Sequence, residues 1–70
     1  MSERRLPVVS GRELIRWLTS LGYQVVRQRG SHVRLERHHS GTTHAITIPN
    51  HREIGKGTLN DIIGAVARAT

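Results

Sequence analysis

The hydrophobic positions of the 70-residue chain first follow a helical period, then alternate, and finally return to the helical period. The first helical stripe is made by three leucines: Leu14, Leu18 and Leu21. Just before it, Ser10 and Glu13 have the spacing of a capping box, and Gly22 suits the left-handed residue that closes a helix. These signals predict a helix over residues 11–21.

Three segments with strand character follow, separated by short turns or polar loops. They are residues 23–29, 32–37 and 43–48. In the second segment Val33 and Leu35 fall on one face and His32 on the other, which is typical of a strand with one buried face. The dipeptide Gly30-Ser31 has the chemistry of the turn that precedes this strand.

A second amphipathic stripe predicts a helix over about residues 59–68, with Thr58 as its N-cap. Residues 1–9 are expected to be a flexible lead-in, and residues 1–70 to form one domain. Short connections favour an antiparallel meander, and both amphipathic helices must share the one apolar face of the sheet. The expected fold is therefore α+β, helix–three-stranded antiparallel sheet–helix, with both helices on one face.

The composition excludes several kinds of site and bears on the location and partner of the protein. The chain has no cysteine, which excludes disulfides, thiolate zinc sites and a cysteine nucleophile. We find no secretory signal and no membrane-spanning run, so we expect a cytoplasmic protein. The net charge is +6, and ten of the eleven cations are arginines, whose planar guanidinium groups suit phosphate oxygens. These features are typical of a nucleic-acid-binding protein, but a basic surface without such a partner explains the same composition equally well.

His32 is the sharpest candidate for chemistry. Alternation places it on the open face of the sheet, and Arg27, Arg29 and Arg34 are close to it in sequence. Arginines can hold a phosphate, while a histidine can move a proton on or off the 2′-hydroxyl or the leaving 5′-oxygen of RNA. From these residues alone, an exposed histidine without a role is the simpler interpretation. Ser31 is not expected to be a nucleophile activated by His32, because adjacent strand residues point to opposite faces.

Other polar residues offer weaker candidates. Three histidines could gather around the second hairpin: His38, His39 and His44. No metal-ligand motif or carboxylate cluster accompanies them, so no metal site is predicted, and the pair His38-His39 is interpreted as the hairpin tip. His51 is interpreted as a supporting or structural residue. Lys56, which opens the second helix beside a glycine, could seat a phosphate or take part in ordinary capping.

Taken together, these segments resemble the HicA family of bacterial toxins. The resemblance runs from Leu14 to about Val66, and its most specific part is the run over residues 27–32. Further matching segments are Leu21-Gly22-Tyr23, Ile46-Thr47-Ile48-Pro49-Asn50-His51, Ile54, Lys56-Gly57-Thr58-Leu59 and Ile62-Ile63. The order and spacing of these segments carry the resemblance, since each of them alone is a weak signal.

The resemblance implies a fold like that of double-stranded-RNA-binding domains and the activity of a ribosome-independent mRNA interferase that needs no known cofactor. It implies that the chain is the toxin of a type II toxin–antitoxin system, a metal-independent endoribonuclease with His32 as general acid or base. A HicB-type antitoxin is the expected protein partner and covers the active site. The expected RNA contacts are Arg27, Arg29, Ser31, Arg34 and Lys56, with His51 in support.

Two other hypotheses stay open. The chain could be a non-catalytic double-stranded-RNA-binding module, whose binding to a duplex would not depend on His32. It could also be a degenerate toxin that is kept for complex formation.

The sequence departs from the family pattern at Val33 and Arg52-Glu53 and is poor in lysine, which leaves the RNA sequence preference open.

Overall fold

The computed structural model describes residues 8–69 and places two helices and three strands within them. In chain order these are α1 (Gly11–Ser20), β1 (Gln24–Arg29), β2 (His32–His39), β3 (Thr42–Pro49) and α2 (Lys56–Ala69). The strands form an antiparallel sheet in the order β1-β2-β3. The predicted α+β arrangement is thus confirmed. Within residues 8–69, neither helix is long and apolar enough to cross a membrane.

The start of α1 agrees with the prediction because its first turn is capped. The Glu13 N–H donates to Ser10 Oγ (3.1 Å), and the Ser10 N–H donates to Glu13 Oε1 (2.9 Å), which completes the capping box. The helix ends at Ser20, and Gly22 follows with a φ of 101°, a backbone conformation that other residues rarely adopt. Local sequence therefore determines both ends of this helix.

A hydrophobic core lies between the helices and the sheet. Its buried members are Leu14, Leu18, Tyr23, Val33, Leu35, Ile48, Ile54, Ile62 and Val66. Because residues of both helices and of one sheet face share this cluster, both helices cover the same face of the sheet, as predicted. Val33 and Leu35 of β2 are 3% and 0% exposed, which confirms the predicted alternation of that strand.

Tyr23 combines a buried ring with a satisfied polar group. It is 1% exposed, and a hydrogen bond joins its Oη to His44 Nδ1 (2.7 Å). The guanidinium carbon of Arg37 lies 5.8 Å from the centroid of the Tyr23 ring, within the range of a cation–π contact. His44 and Arg37 are paired residues of β3 and β2, so Tyr23 links the residue just before β1 to both of the other strands.

The predicted start of the second helix is wrong. Because α2 begins at Lys56, Thr58 lies inside the helix and is not the N-cap of a helix over residues 59–68. The first hydrogen bond of the helix runs from the Leu59 N–H to the Gly55 carbonyl (2.9 Å). The helix thus starts one turn earlier than its capping residues suggest.

Contacts with the N-terminal segment explain this early start. Residues 1–7 of the predicted lead-in lie outside the described residues, but Val9 packs against the core. The Ile54 N–H donates to the Val9 carbonyl (2.7 Å), and Ile54 is itself buried. Tertiary contacts therefore fix the chain just ahead of α2 and prevail over the local preference of Thr58.

The second hairpin also differs from the prediction of a polar loop with His38-His39 at its tip. β2 continues to His39, which pairs with Thr42, and the tip is the two-residue turn Ser40-Gly41. Ser40 and Gly41 have φ values of 51° and 78°, and positive φ at both central residues is what a type I′ hairpin turn requires. The histidine pair therefore belongs to a strand.

β1 contains an irregularity that the sequence did not predict. Val25 pairs with Leu35, but the next paired residue is Arg27, which pairs with Arg34. Val26 is thus the extra residue of a β-bulge. Directly paired residues share a face of the sheet, so the bulge turns Arg27 away from the core. Strict alternation from Val25 would have turned Arg27 toward the helices.

Candidate functional site

The sheet face opposite the helices, called the outer face below, is formed by alternate residues of the three strands. According to the strand register it comprises Gln24, Arg27 and Arg29 of β1, His32, Arg34, Glu36 and His38 of β2, and Thr43, Ala45, Thr47 and Pro49 of β3. Among the described residues of this face, three are arginines and one is a carboxylate. The outer face is therefore basic, and most of its residues are exposed to solvent.

His32 lies in a shallow depression of the outer face. The depression is lined by Arg27, Arg29, His32, Arg34 and Thr47, all of them exposed. The strand register brings these side chains together. Arg29 pairs with His32, and Arg34 pairs with Arg27 on one side and with Thr47 on the other. The bulge in β1 is what turns both of its arginines toward this depression.

The positive charges of the depression are largely available to a ligand. Within residues 8–69, no carboxylate lies within ion-pair distance of Arg27 or Arg29. Arg34 Nε donates to Glu36 Oε2 (3.2 Å), but its terminal amino groups keep further N–H donors. Such a group of guanidinium forks matches the oxygens of a phosphate better than any neutral ligand.

The backbone of His32 is held from both sides. It is the first residue of β2 and directly follows the turn Gly30-Ser31, where Gly30 has a φ of 59°. On the side of β3, His32 pairs with Pro49, and the Asn50 N–H donates to the Ser31 carbonyl (2.5 Å). An exposed imidazole on a fixed backbone has the placement that a proton-transferring group requires.

The beginning of α1 packs against the end of β3. The Gly11 N–H donates to the His51 carbonyl (2.8 Å). A Cβ atom on Gly11 would lie 2.5 Å from the Pro49 carbonyl oxygen and 2.6 Å from Asn50 Cα, closer than real Cβ contacts. The helix therefore touches the strand end that pairs with His32, and this close approach requires a glycine.

Three of the predicted site residues lie outside the depression. Ser31, His51 and Lys56 are exposed, but none of them lines it. Ser31 occupies the turn before β2, and Lys56 is the first residue of α2. The structure thus brings the predicted catalytic histidine together with the three predicted arginines, and the other three candidates do not line the same depression.

The remaining histidines are spread over both faces of the sheet. His38 is on the outer face, whereas His39 and His44 share the helix-covered face with their partners in the register. Among the residues that the structure describes, no group of three or more histidine, aspartate or glutamate side chains is arranged to hold a metal ion.

Thr47 is a residue of the depression that sequence reasoning missed. Its place between Ile46 and Ile48, which point to the core, puts its hydroxyl on the outer face. This alternation was visible in the sequence. The pairing of Thr47 with Arg34, which brings it beside His32, was not visible because it depends on the register between β2 and β3.

Comparison with known proteins identifies a family. Residues 11–67 match the model of a protein family described as the HicA toxin of bacterial toxin–antitoxin. The match covers both helices up to Ala67 and the whole sheet. No curated protein and no solved structure matches the chain.

Proposed function

The chain belongs to the HicA toxin family of bacterial toxin–antitoxin systems, and from this premise we propose that it is an endoribonuclease that cleaves mRNA in the cytoplasm. Membership of the family makes the chain the toxin of a pair whose other member is a cognate antitoxin. We propose that this antitoxin is of the HicB type. The observation that carries the proposal is the exposed His32 in a depression lined by Arg27, Arg29 and Arg34.

In the proposed reaction, His32 moves the proton. Its imidazole takes the proton from a 2′-hydroxyl, and the 2′-oxygen attacks the adjacent phosphorus. The bond from phosphorus to the 5′-oxygen breaks, a 2′,3′-cyclic phosphate forms, and the proton passes to the 5′-oxygen, which leaves as a hydroxyl. His32 thus returns to its starting state, and side chains alone supply this chemistry.

The arginines act on the phosphate. Negative charge grows on its oxygens during the attack, and guanidinium groups fixed beside the phosphate stabilise that charge without having to reorganise. Arg27 and Arg29, which have no carboxylate partner among the described residues, are the expected principal contacts. Arg34 is shared with Glu36 and offers its terminal amino groups. Ser31 and Lys56, which do not line the depression, are expected to contact RNA further along the strand.

Replacing His32 tests the proposal. We expect His32→Ala to lower the rate of RNA cleavage by about 10²–10⁴-fold, which is the typical cost of losing a general acid or base. The rate is measured with purified protein and end-labelled single-stranded RNA, and circular dichroism checks the fold. His39→Ala is the matched control, because it removes an exposed histidine from the same strand on the helix-covered face.

The outcomes separate the hypotheses. Full cleavage by His32→Ala would show that the assignment is wrong. A wild-type protein that binds duplex RNA and cleaves no RNA would be the non-catalytic binding module. His51→Ala, in the same assay, decides whether His51 supports proton transfer: a loss as large as that of His32→Ala would make it a second catalytic residue.

A further inference from the structure

Glu36 lies beside Arg34 on the outer face, and we propose that it positions Arg34 for RNA cleavage and limits how far the RNA-binding surface extends along β2. This inference rests on the proposed ribonuclease function. Glu36 is the carboxylate of a face whose described residues include three arginines. A negative charge in this place weakens the attraction of the face for phosphate, so its presence calls for a physical reason.

Contacts on both sides fix the carboxylate of Glu36. Arg34 Nε donates to its Oε2 at 3.2 Å, and His38 Nε2 lies 3.8 Å from its Oε1. His38 is held in turn by a hydrogen bond between its Nδ1 and Thr43 Oγ1 (2.7 Å). The side chain of Glu36 is 23% exposed, against 47% for Arg34. Glu36 is thus the better anchored member of the pair.

The bond from Nε determines how Arg34 faces its surroundings. A guanidinium group is planar and carries five N–H donors, so an acceptor at Nε uses one of them and restricts the plane of the group. The four donors on the terminal nitrogens stay available. Because Arg34 lines the same depression as His32, they can reach a phosphate there. Hydrogen-bond donors that are already oriented stabilise a transition state better than donors that must be reoriented during the reaction.

The charge of Glu36 also limits how far the RNA-binding surface extends over the outer face. Glu36 and Arg34 line a second depression together with Val26 and Arg27, next to the one that holds His32. A phosphate beside His32 meets arginines, whereas a phosphate placed beyond Arg34 meets the carboxylate. The RNA backbone is therefore directed to the His32 end of β2.

Two substitutions of Glu36 separate positioning from charge. Glu36→Ala removes both the acceptor and the charge, so we expect kcat to fall about tenfold through misorientation of Arg34. We expect KM to fall as well, by about threefold, because a negative charge near the substrate is lost. Glu36→Gln keeps an oxygen that can accept from Arg34 Nε, so kcat should return to within about twofold of the wild-type value while KM stays low.

The test uses the full chain and one RNA oligonucleotide that the wild-type protein cleaves. An ion pair between side chains that both reach solvent adds little to stability, so both variants are expected to fold, and circular dichroism verifies this. Asp61→Asn is the control for net charge, because Asp61 is an exposed carboxylate on α2, on the other side of the sheet. We expect it to change neither kcat nor KM.

The results distinguish this inference from the proposed function. An unchanged kcat in Glu36→Ala, an unrestored kcat in Glu36→Gln, or an equal fall of KM in Asp61→Asn overturns the role of Glu36. A wild-type protein without cleavage, or a His32→Ala variant as active as the wild type, overturns the ribonuclease function itself. If these two proteins behave as expected and the Glu36 variants do not, the inference alone is wrong.

Discussion

At the scale of single residues, Gly11 is a position where α1 packs tightly against the end of β3. Its N–H is bonded to the His51 carbonyl, and a Cβ atom would come within 2.5 Å of the Pro49 carbonyl oxygen. The neighbouring atoms belong to the backbone and cannot rotate away. The strand end that holds His32 in register therefore depends on a residue that has no chemistry of its own.

We expect Gly11→Ala to lower the free energy of unfolding by about 1–3 kcal/mol, because the added methyl group must displace packed backbone. Urea unfolding followed by circular dichroism measures this change. Gly57→Ala is the matched control: Gly57 lies in α2 with open space around it, so alanine should raise stability by about 0.5–1 kcal/mol. Equal effects of the two substitutions would contradict the proposed close packing at Gly11.

The residues of the candidate site differ in how far the sequence could predict them. His32 and Arg34 could be predicted because residue type and the alternation of β2 both point to an open basic face. Arg27 and Arg29 could be predicted only from residue type and nearness in sequence, since their orientation depends on the bulge in β1. The pairing of Arg34 with Thr47 and the hydrogen bond from Arg34 to Glu36 could not be predicted, because both depend on the detailed geometry of the sheet. The chemistry of a site can thus be predicted before its geometry.

At the scale of elements, local signals sufficed where an element is fixed by its own sequence. The capping box and Gly22 gave the bounds of α1 almost without error. The start of α2 was predicted wrongly because contacts of Ile54 with the N-terminal segment prevail over capping preference. The bulge at Val26 was missed since a bulge appears only when two strands are paired.

The capping box of α1 leads to a prediction about pH. The Ser10 backbone N–H, and after it the Ser10 hydroxyl and the charge of Arg16, lower the pKa of Glu13 below its ordinary value of 4.5. A carboxylate whose pKa is lower in the folded than in the unfolded chain stabilises the fold above the unfolded pKa. This contribution is lost as the pH falls through the folded pKa.

We therefore expect Glu13→Gln to be less stable than the wild type at neutral pH and to approach it as the pH falls below about 4.5. Glutamine can still complete a capping box, so the substitution removes the charge and keeps the geometry. Thermal unfolding of both proteins across this range of pH measures the difference. A difference that stays constant with pH would show that the charge of Glu13 adds nothing to the stability of α1.

At the scale of the whole molecule, the sheet separates two functions. Its helix-covered face carries the core, which includes Val33, Leu35 and Ile48, and its outer face carries the arginines and His32. The fold could be predicted from the sequence because two helical stripes and one apolar sheet face allow few other arrangements. The separation also means that charges on the outer face can be changed without loss of buried contacts.

This separation predicts how RNA binding responds to salt. If each of the three arginines also neutralises one phosphate of the bound RNA, the cleaved one or a neighbour, about three phosphates are neutralised. The logarithm of the binding constant should then fall with the logarithm of salt concentration with a slope of about −2 for single-stranded RNA. Arg29→Ala should reduce the steepness by about 0.7, the contribution of one phosphate contact. Arg68→Ala, at an exposed arginine in the last turn of α2, should leave the slope unchanged. Fluorescence anisotropy measures binding in the His32→Ala background, in which the RNA stays intact. If Arg29→Ala and Arg68→Ala reduced the steepness equally, RNA binding would depend on the net charge of +6 and not on the arginines of the outer face.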